Sequence, residues 1–238
     1  MASATGIPEN VHAASEEEPL LGSAGGVQQR QTEPIYHNFI TGSAIVAQAG
    51  VWVLTAVVWS AIFSHDLIFF SAHPLLNSAA ILLQVQAILV LQPASTARQK
   101  TIGTYIHAAL LTLSLGAFIS AFIIIEINKG DHQRLTSPHG ILGLITYILI
   151  ILQAFVGVAQ FWLPVWVFGS VENGKKIYKY HRGSGYILLV LELATVSAAT
   201  QTTFNQEVLH IRLWVALVTA IIIILSVGAR LKKHKLGL

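Results

Sequence analysis

Cysteine is absent from the 238 residues. That excludes disulfides, thiolate metal sites, iron–sulfur clusters and thiol catalysis together. Charge is scarce: Asp, Glu, Lys and Arg make up 11% of the chain, against 54% hydrophobic residues. A water-soluble domain of this size cannot hide so much apolar surface, so lipid is the expected solvent for most of it. The first 32 residues hold no basic start followed by an apolar run, and do not read as a secretory signal.

What the chain has is long apolar runs. They cover residues 39–63, 67–91, 102–125, 139–163, 177–200 and 213–229. Each approaches the roughly 20 residues needed to cross a ~30 Å hydrocarbon core. Pro93, Ser137-Pro138 and Pro164 mark three of the boundaries. The expected fold is all-α and integral to the membrane: a six-transmembrane helix bundle over residues 39–230. Residues 1–38 read as a disordered tail and 231–238 as a short basic tail. There is no room for a second globular unit, and no nucleic-acid partner is expected.

Lys and Arg set the orientation. With the N-terminus in the cytosol, the cytosolic segments hold Arg30, Arg98, Lys100, Lys175, Lys176, Lys179, Arg182, Arg230, Lys232, Lys233 and Lys235. The other side holds only Lys129, Arg134 and Arg212. Both termini are therefore expected in the cytosol. Glu16-Glu17-Glu18-Pro19-Leu20-Leu21 resembles an acidic dileucine sorting signal, which points to a vacuolar or endolysosomal membrane; a chance match in an acidic tail is the other reading.

Ten histidines remain as the reserve of metal ligands. Four fall near the starts of spans: His73, His107, His139 and His181. The topology puts His73 and His139 near the non-cytosolic face and His107 and His181 near the cytosolic one. An intramembrane histidine is costly unless it faces the bundle and has a partner. Two imidazoles facing each other across a four-helix core suit a bis-histidine haem, with both axial positions filled and no open site for oxygen. Two such b-type haems, roughly 20 Å apart, would form a two-stop wire. Interhelical hydrogen bonding is the bland alternative for a single histidine; four, paired by leaflet on successive core helices, favour ligation. His12, His37, His65, His132, His210 and His234 read as tail or loop residues.

A step of eleven residues returns to nearly the same helix face. It leads from His73 to Gln84 and from His181 to Glu192, while Gly143, Gln153 and Gly157 share a stripe with His139. The glycines leave room either for a flat macrocycle or for close helix packing.

These motifs resemble the cytochrome b561 family of transmembrane di-haem electron carriers. The matching stretches are His73-Pro74-Leu75-Leu76, Leu83-Gln84, Ala87-Ile88-Leu89-Val90 and His107 with its leucine-rich span. They continue with His139-Gly140-Ile141-Leu142-Gly143-Leu144, Leu152-Gln153-Ala154-Phe155-Val156-Gly157 and Tyr180-His181-Arg182-Gly183-Ser184-Gly185. The resemblance covers residues 72–200. It implies that His73 and His139 hold one haem b, and His107 and His181 the other, the pairing that the charge argument reaches separately. It also implies cytosolic ascorbate as donor, monodehydroascorbate or a ferric chelate as acceptor, and often a homodimer. Better-known members have Tyr-Arg where this chain has Leu91-Gln92, and Ser-Trp where it has Gly140-Ile141. Both places are linked to ascorbate handling, and the pattern here is closer to the small tumour-suppressor-like branch.

At the basic mouth, Arg98, Lys100, Lys179 and Arg182 are the candidates to meet an anionic donor or a haem propionate, or to touch anionic lipid. At the other mouth, His65, Asp66, Lys129, Asp131, His132, Arg134, His210 and Arg212 offer a docking surface or an ordinary solvated loop. Glu192, deep in a span, is either protonated and part of proton movement or a packing contact. The expected activity is thus an ascorbate-dependent transmembrane oxidoreductase or ferric reductase. The competing classes are a metal-ion transporter that uses the intramembrane histidines, and a non-catalytic membrane scaffold.

Overall fold

The computed structural model describes residues 24–237, so the acidic dileucine stretch Glu16–Leu21 lies outside the described residues. Among the described residues the chain is helical, with no strand: α1 (Ala44–Phe63), α2 (Ala72–Leu91), α3 (Ala97–Lys129), α4 (Pro138–Phe161), the short α5 (Pro164–Phe168), α6 (Val171–Ala199) and α7 (Leu213–Gly228). Four segments are long and apolar enough to cross a membrane: Ala44–Phe63, Phe69–Leu91, Ala97–Lys129 and Pro138–Phe161. The 16-residue α7 is apolar but shorter. The 29-residue α6 is long, but its first half carries Lys175, Lys176, Lys179 and Arg182.

Local chemistry fixes the helix ends. Thr96 Oγ1 accepts from Gln99 N (3.2 Å) while Gln99 Oε1 accepts from Thr96 N (3.1 Å), a reciprocal cap that starts α3. Ser137 Oγ accepts from Gly140 N (3.1 Å) and Pro138 takes the first helical position of α4. Ser170 Oγ does the same for α6 through Asn173 N (3.1 Å). Pro164 follows the fourth apolar run and takes the first position of the short α5, which separates it from α4.

α2 lies along α3, α4 along α6, and α1 along α7, whereas α3 and α4 meet at few points. The interior is built from small and branched residues: Ala44, Ala47, Val51 and Leu54 of α1, Val85 and Leu89 of α2, Leu189 and Leu193 of α6, and Ile223 and Val227 of α7. A Cβ at Gly50 would sit 2.9 Å from Ile222 Cγ2, so glycine there lets α1 and α7 approach closely.

The two segments read as tails are docked in part. Gly25 N donates to Ala229 O (2.8 Å) and Gln29 N to Pro93 O (3.0 Å). Asn38 Nδ2 donates to Val90 O (2.8 Å) and to Gln29 Oε1 (3.0 Å). Residues 24–38 thus differ from a free tail because their polar groups satisfy carbonyls at the ends of α2 and α7. Arg230 locks this end. It is 2% exposed and donates to Gln92 Oε1 (2.9 Å), Asn38 O (3.1 Å) and Thr41 O. A guanidinium among chain-end carbonyls offsets their partial negative charge.

Replacing Arg230 with Ala leaves these acceptors unpaired. The expected result is a loss of about 2 kcal/mol in stability, read as a lower thermal midpoint in detergent, with faster amide exchange in residues 35–43.

Candidate functional site

The four histidines of the apolar runs lie on α2, α3, α4 and α6, at two matched depths. His73 and His139 are each the second residue of their helix, whereas His107 and His181 each lie ten residues beyond the helix start. The second pair is therefore deeper than the sequence suggests, because α3 and α6 extend as helix well past the apolar runs.

His73 and His139 face each other across the bundle, with ring centres 6.3 Å apart and planes at 86°. A metal held between two imidazole nitrogens requires metal–nitrogen bonds near 2 Å and hence about 6 Å between ring centres. The pair meets that condition. His73 Nδ1 donates to Ala121 O (3.0 Å) and His139 Nδ1 to Thr195 O (3.0 Å). A carbonyl can only accept, so each Nδ1 carries the proton and each Nε2 keeps its lone pair for a metal. Phe70 stacks on His73 at 5.5 Å. Asn77 Nδ2 donates to His73 O (2.8 Å) and Asn77 Oδ1 accepts from Tyr147 of α4 (2.9 Å), a strut between the two helices that bear this pair.

At the other depth, His107 Nδ1 donates to Ala87 O (2.8 Å), which sets the same tautomer. His181 differs: its buried Nδ1 has no partner. Its ring lies against Gly157, where a Cβ would meet His181 Cε1 at 3.2 Å. Gln153 Nε2 donates to His181 O (2.6 Å) and Gln153 Oε1 accepts from Ser184 Oγ (2.8 Å), so two turns of α4 cradle this turn of α6.

The cross-helix bonds also set the separation of the two levels. His73 reaches Ala121 and His107 reaches Ala87, so the same fourteen-residue interval is measured on both α2 and α3. On α6, His181 and Thr195 are again fourteen apart, and on α4, His139 and Gln153 are too. Fourteen residues of α-helix span about 21 Å.

The basic candidates divide. Lys179 and Arg182 line a cleft of about 560 Å³ together with Lys175, Lys176 and Lys235. Arg182 donates to Lys235 O and Lys235 Nζ to Ala94 O (3.4 Å), which folds the C-terminal segment against the mouth. Burial pushes the Lys235 ammonium down to about 8, helped by Lys232, Arg182 and Lys100 close by. Lys100 thus adjoins this group. Arg98 does not: it lines a separate cleft with Gln29, Glu33, Pro34, Thr96 and Ile102. Sequence reasoning assigned Lys235 to a tail, and only its charge could have hinted otherwise. Asn77 and Tyr147 were also missed, although each lies on the face of its helix's histidine. At the opposite end, Arg134 pairs with Glu126 (2.9 Å) and His132 Nδ1 bonds Lys129 O (2.8 Å), so part of that surface is committed locally.

The family model described as eukaryotic cytochrome b561 matches residues 72–206, which contain all four histidines. No curated protein and no solved structure shows a match.

A side chain at position 157 would press on His181 but not on the His73–His139 pair. Gly157→Leu is expected to displace the His181 ring and so lower the haem content of the protein, measured by absorption of the purified protein against total protein.

Proposed function

The chain belongs to the eukaryotic cytochrome b561 family, whose members are haem-b oxidoreductases of the membrane, and from that premise we propose that it takes electrons from cytosolic ascorbate and passes them to monodehydroascorbate or a ferric chelate on the other side. Transmembrane electron transfer is the activity the family carries. The observation that best supports two relay points is the matched fourteen-residue register of the four histidines.

In this reading His73 with His139, and His107 with His181, are the axial ligands of two haems b. When bound, haem b supplies a one-electron iron couple. The protein's part is to hold the rings. Three Nδ1–H donors tie their imidazoles to carbonyls of a neighbouring helix, so Nε2 keeps its aim whatever the charge on the metal. Phe70, stacked on His73, covers that ring on one side. A separation of about 21 Å between levels divides a ~30 Å core into short steps.

The full architecture in this proposal has six spans, with α6 and α7 completing the bundle and both termini in the cytosol. The basic cleft of Lys175, Lys176, Lys179, Arg182 and Lys235 then opens to the cytosol and draws an anionic donor toward His181. Its volume is within the range of small-molecule sites. Lys100 reinforces the field beside Lys235, and Arg98 acts on lipid or orientation instead. The metal-transport alternative finds less support: among the described residues, no three His, Cys, Asp or Glu side chains converge to hold an ion.

Purified protein is expected to be red, with a bis-histidine spectrum that ascorbate reduces. His73→Ala and His181→Ala should each lose roughly one of two haems; a folded but colourless protein overturns the proposal. Lys235 is charged below about pH 8 and neutral above it. The KM for ascorbate is therefore expected to rise as pH passes upward through that value, by about two- to fivefold for one surface-type charge. Lys235→Met should raise KM at lower pH and remove the step.

A further inference from the structure

One ionisable group in the middle of the bundle has no part in holding a haem. Glu192 of α6 is 2% exposed, and neither carboxylate oxygen has a hydrogen-bond partner. It lies eleven residues past His181 and three short of Thr195, whose carbonyl anchors His139. Gln84 on α2 has the matching place, eleven past His73 and three short of Ala87, whose carbonyl anchors His107. Helical side chains lean toward their own N-terminus, and α2 and α6 enter their histidine levels from opposite ends, so the two polar groups lean toward each other between the levels. Gln84 is buried and approaches Glu192 without closing a hydrogen bond.

The surroundings hold little other charge. α1 and α7 contain no ionisable side chain, and α2 contains only His73. α4 offers His139, bonded to Thr195 O, and Tyr147, bonded to Asn77. On α3 the ionisable residues are His107 and groups toward its two ends, Arg98, Lys100, Tyr105, Glu126 and Lys129. On α6 the others all lie on the basic side of Leu188. Among the described residues, Glu192 is therefore the only carboxyl between the two histidine levels.

We propose that Glu192 is a redox-linked proton site, taking up a proton when an electron enters the haem pair and releasing it when the electron leaves. This rests on the electron-transfer reading given above. An unpartnered carboxylate in a low-dielectric interior is held only if a positive charge lies near. A haem iron held by the histidines would supply that charge when oxidised and lose it on reduction. Each electron from the anionic reductant is then matched by one proton that converts the Glu192 carboxylate to the neutral acid. When the electron passes to the acceptor, the proton is released to water and the Glu192 carboxylate is restored. Thr195, one turn further along the same side of α6, shares its hydroxyl with Thr146 of α4 (3.1 Å), and either oxygen can donate. Each of these hydroxyls can also donate to a carbonyl of its own helix, Leu191 O and Leu142 O, so the pair marks the polar ground between Glu192 and the His139 level.

The test is redox titration of the haem-loaded protein at several pH values, with reduced-minus-oxidised infrared spectra. A haem midpoint should fall with rising pH, by up to ~59 mV per tenfold change in proton concentration, and Glu192→Gln should flatten that slope. A protonated carboxyl stretch should appear on reduction, vanish in Glu192→Gln, and shift in Gln84→Leu, which also serves if the first variant does not fold. A Glu192→Gln slope equal to that of the unaltered protein, or haem reduction with no carboxyl signal, overturns the proposal. Protein without haem would overturn the electron-transfer reading itself, so the two failures are distinct.

Discussion

The arrangement depends on one repeated bond: a histidine ring nitrogen on one helix donating to a main-chain carbonyl on its neighbour. In a helix that carbonyl is normally engaged within its own turn, and a second donor makes use of the remaining lone pair. Because the bond runs from α2 to α3 and back, it fixes the axial register of the two helices as well as the aim of each ring. α4 joins α6 by a similar bond at one level and by the Gln153 amide at the other. The rings and the helix pairing are thus determined together, and shifting one helix by a turn would misalign both histidine levels.

Charge is sorted with equal economy. Apolar α1 and α7 fill one flank without an ionisable side chain, while cations gather at one end, where α3 and α6 overrun their apolar portions. Arg230 gathers the chain ends there through neutral acceptors, the Gln92 amide and main-chain carbonyls, rather than through an acid, so the mouth keeps its positive character. An ion pair in the same position would have held the segments as well but weakened the field that an anion meets.

The helical membrane class was legible in the sequence because long apolar runs leave few alternatives, and so was the approach of His73 to His139 across two helices, because polar residues inside such runs are costly unless they face the bundle. The eleven-residue stripes also pointed correctly at Gln84 and Glu192 as inward residues. Three features were not legible. The start of α6 at Val171 is polar, so hydropathy placed the helix some six residues late; the Ser170 cap, rather than apolarity, begins it. Docking of residues 24–38 depends on Gln29 and Asn38 meeting carbonyls far along the chain, which no local pattern encodes. The recruitment of Lys235 to the mouth, and the exclusion of Arg98 from it, are tertiary in the same sense.

The helix ends that overhang the histidines have a consequence for whatever approaches them. His107 and His181 lie about 15 Å of helix below the starts of α3 and α6. His73 and His139 begin their own helices, yet α3 runs eight residues past Ala121, about 12 Å, and Phe70 covers the His73 ring. A reagent outside either end is in this way kept from direct contact with the rings, and charge has to cross intervening protein on both sides.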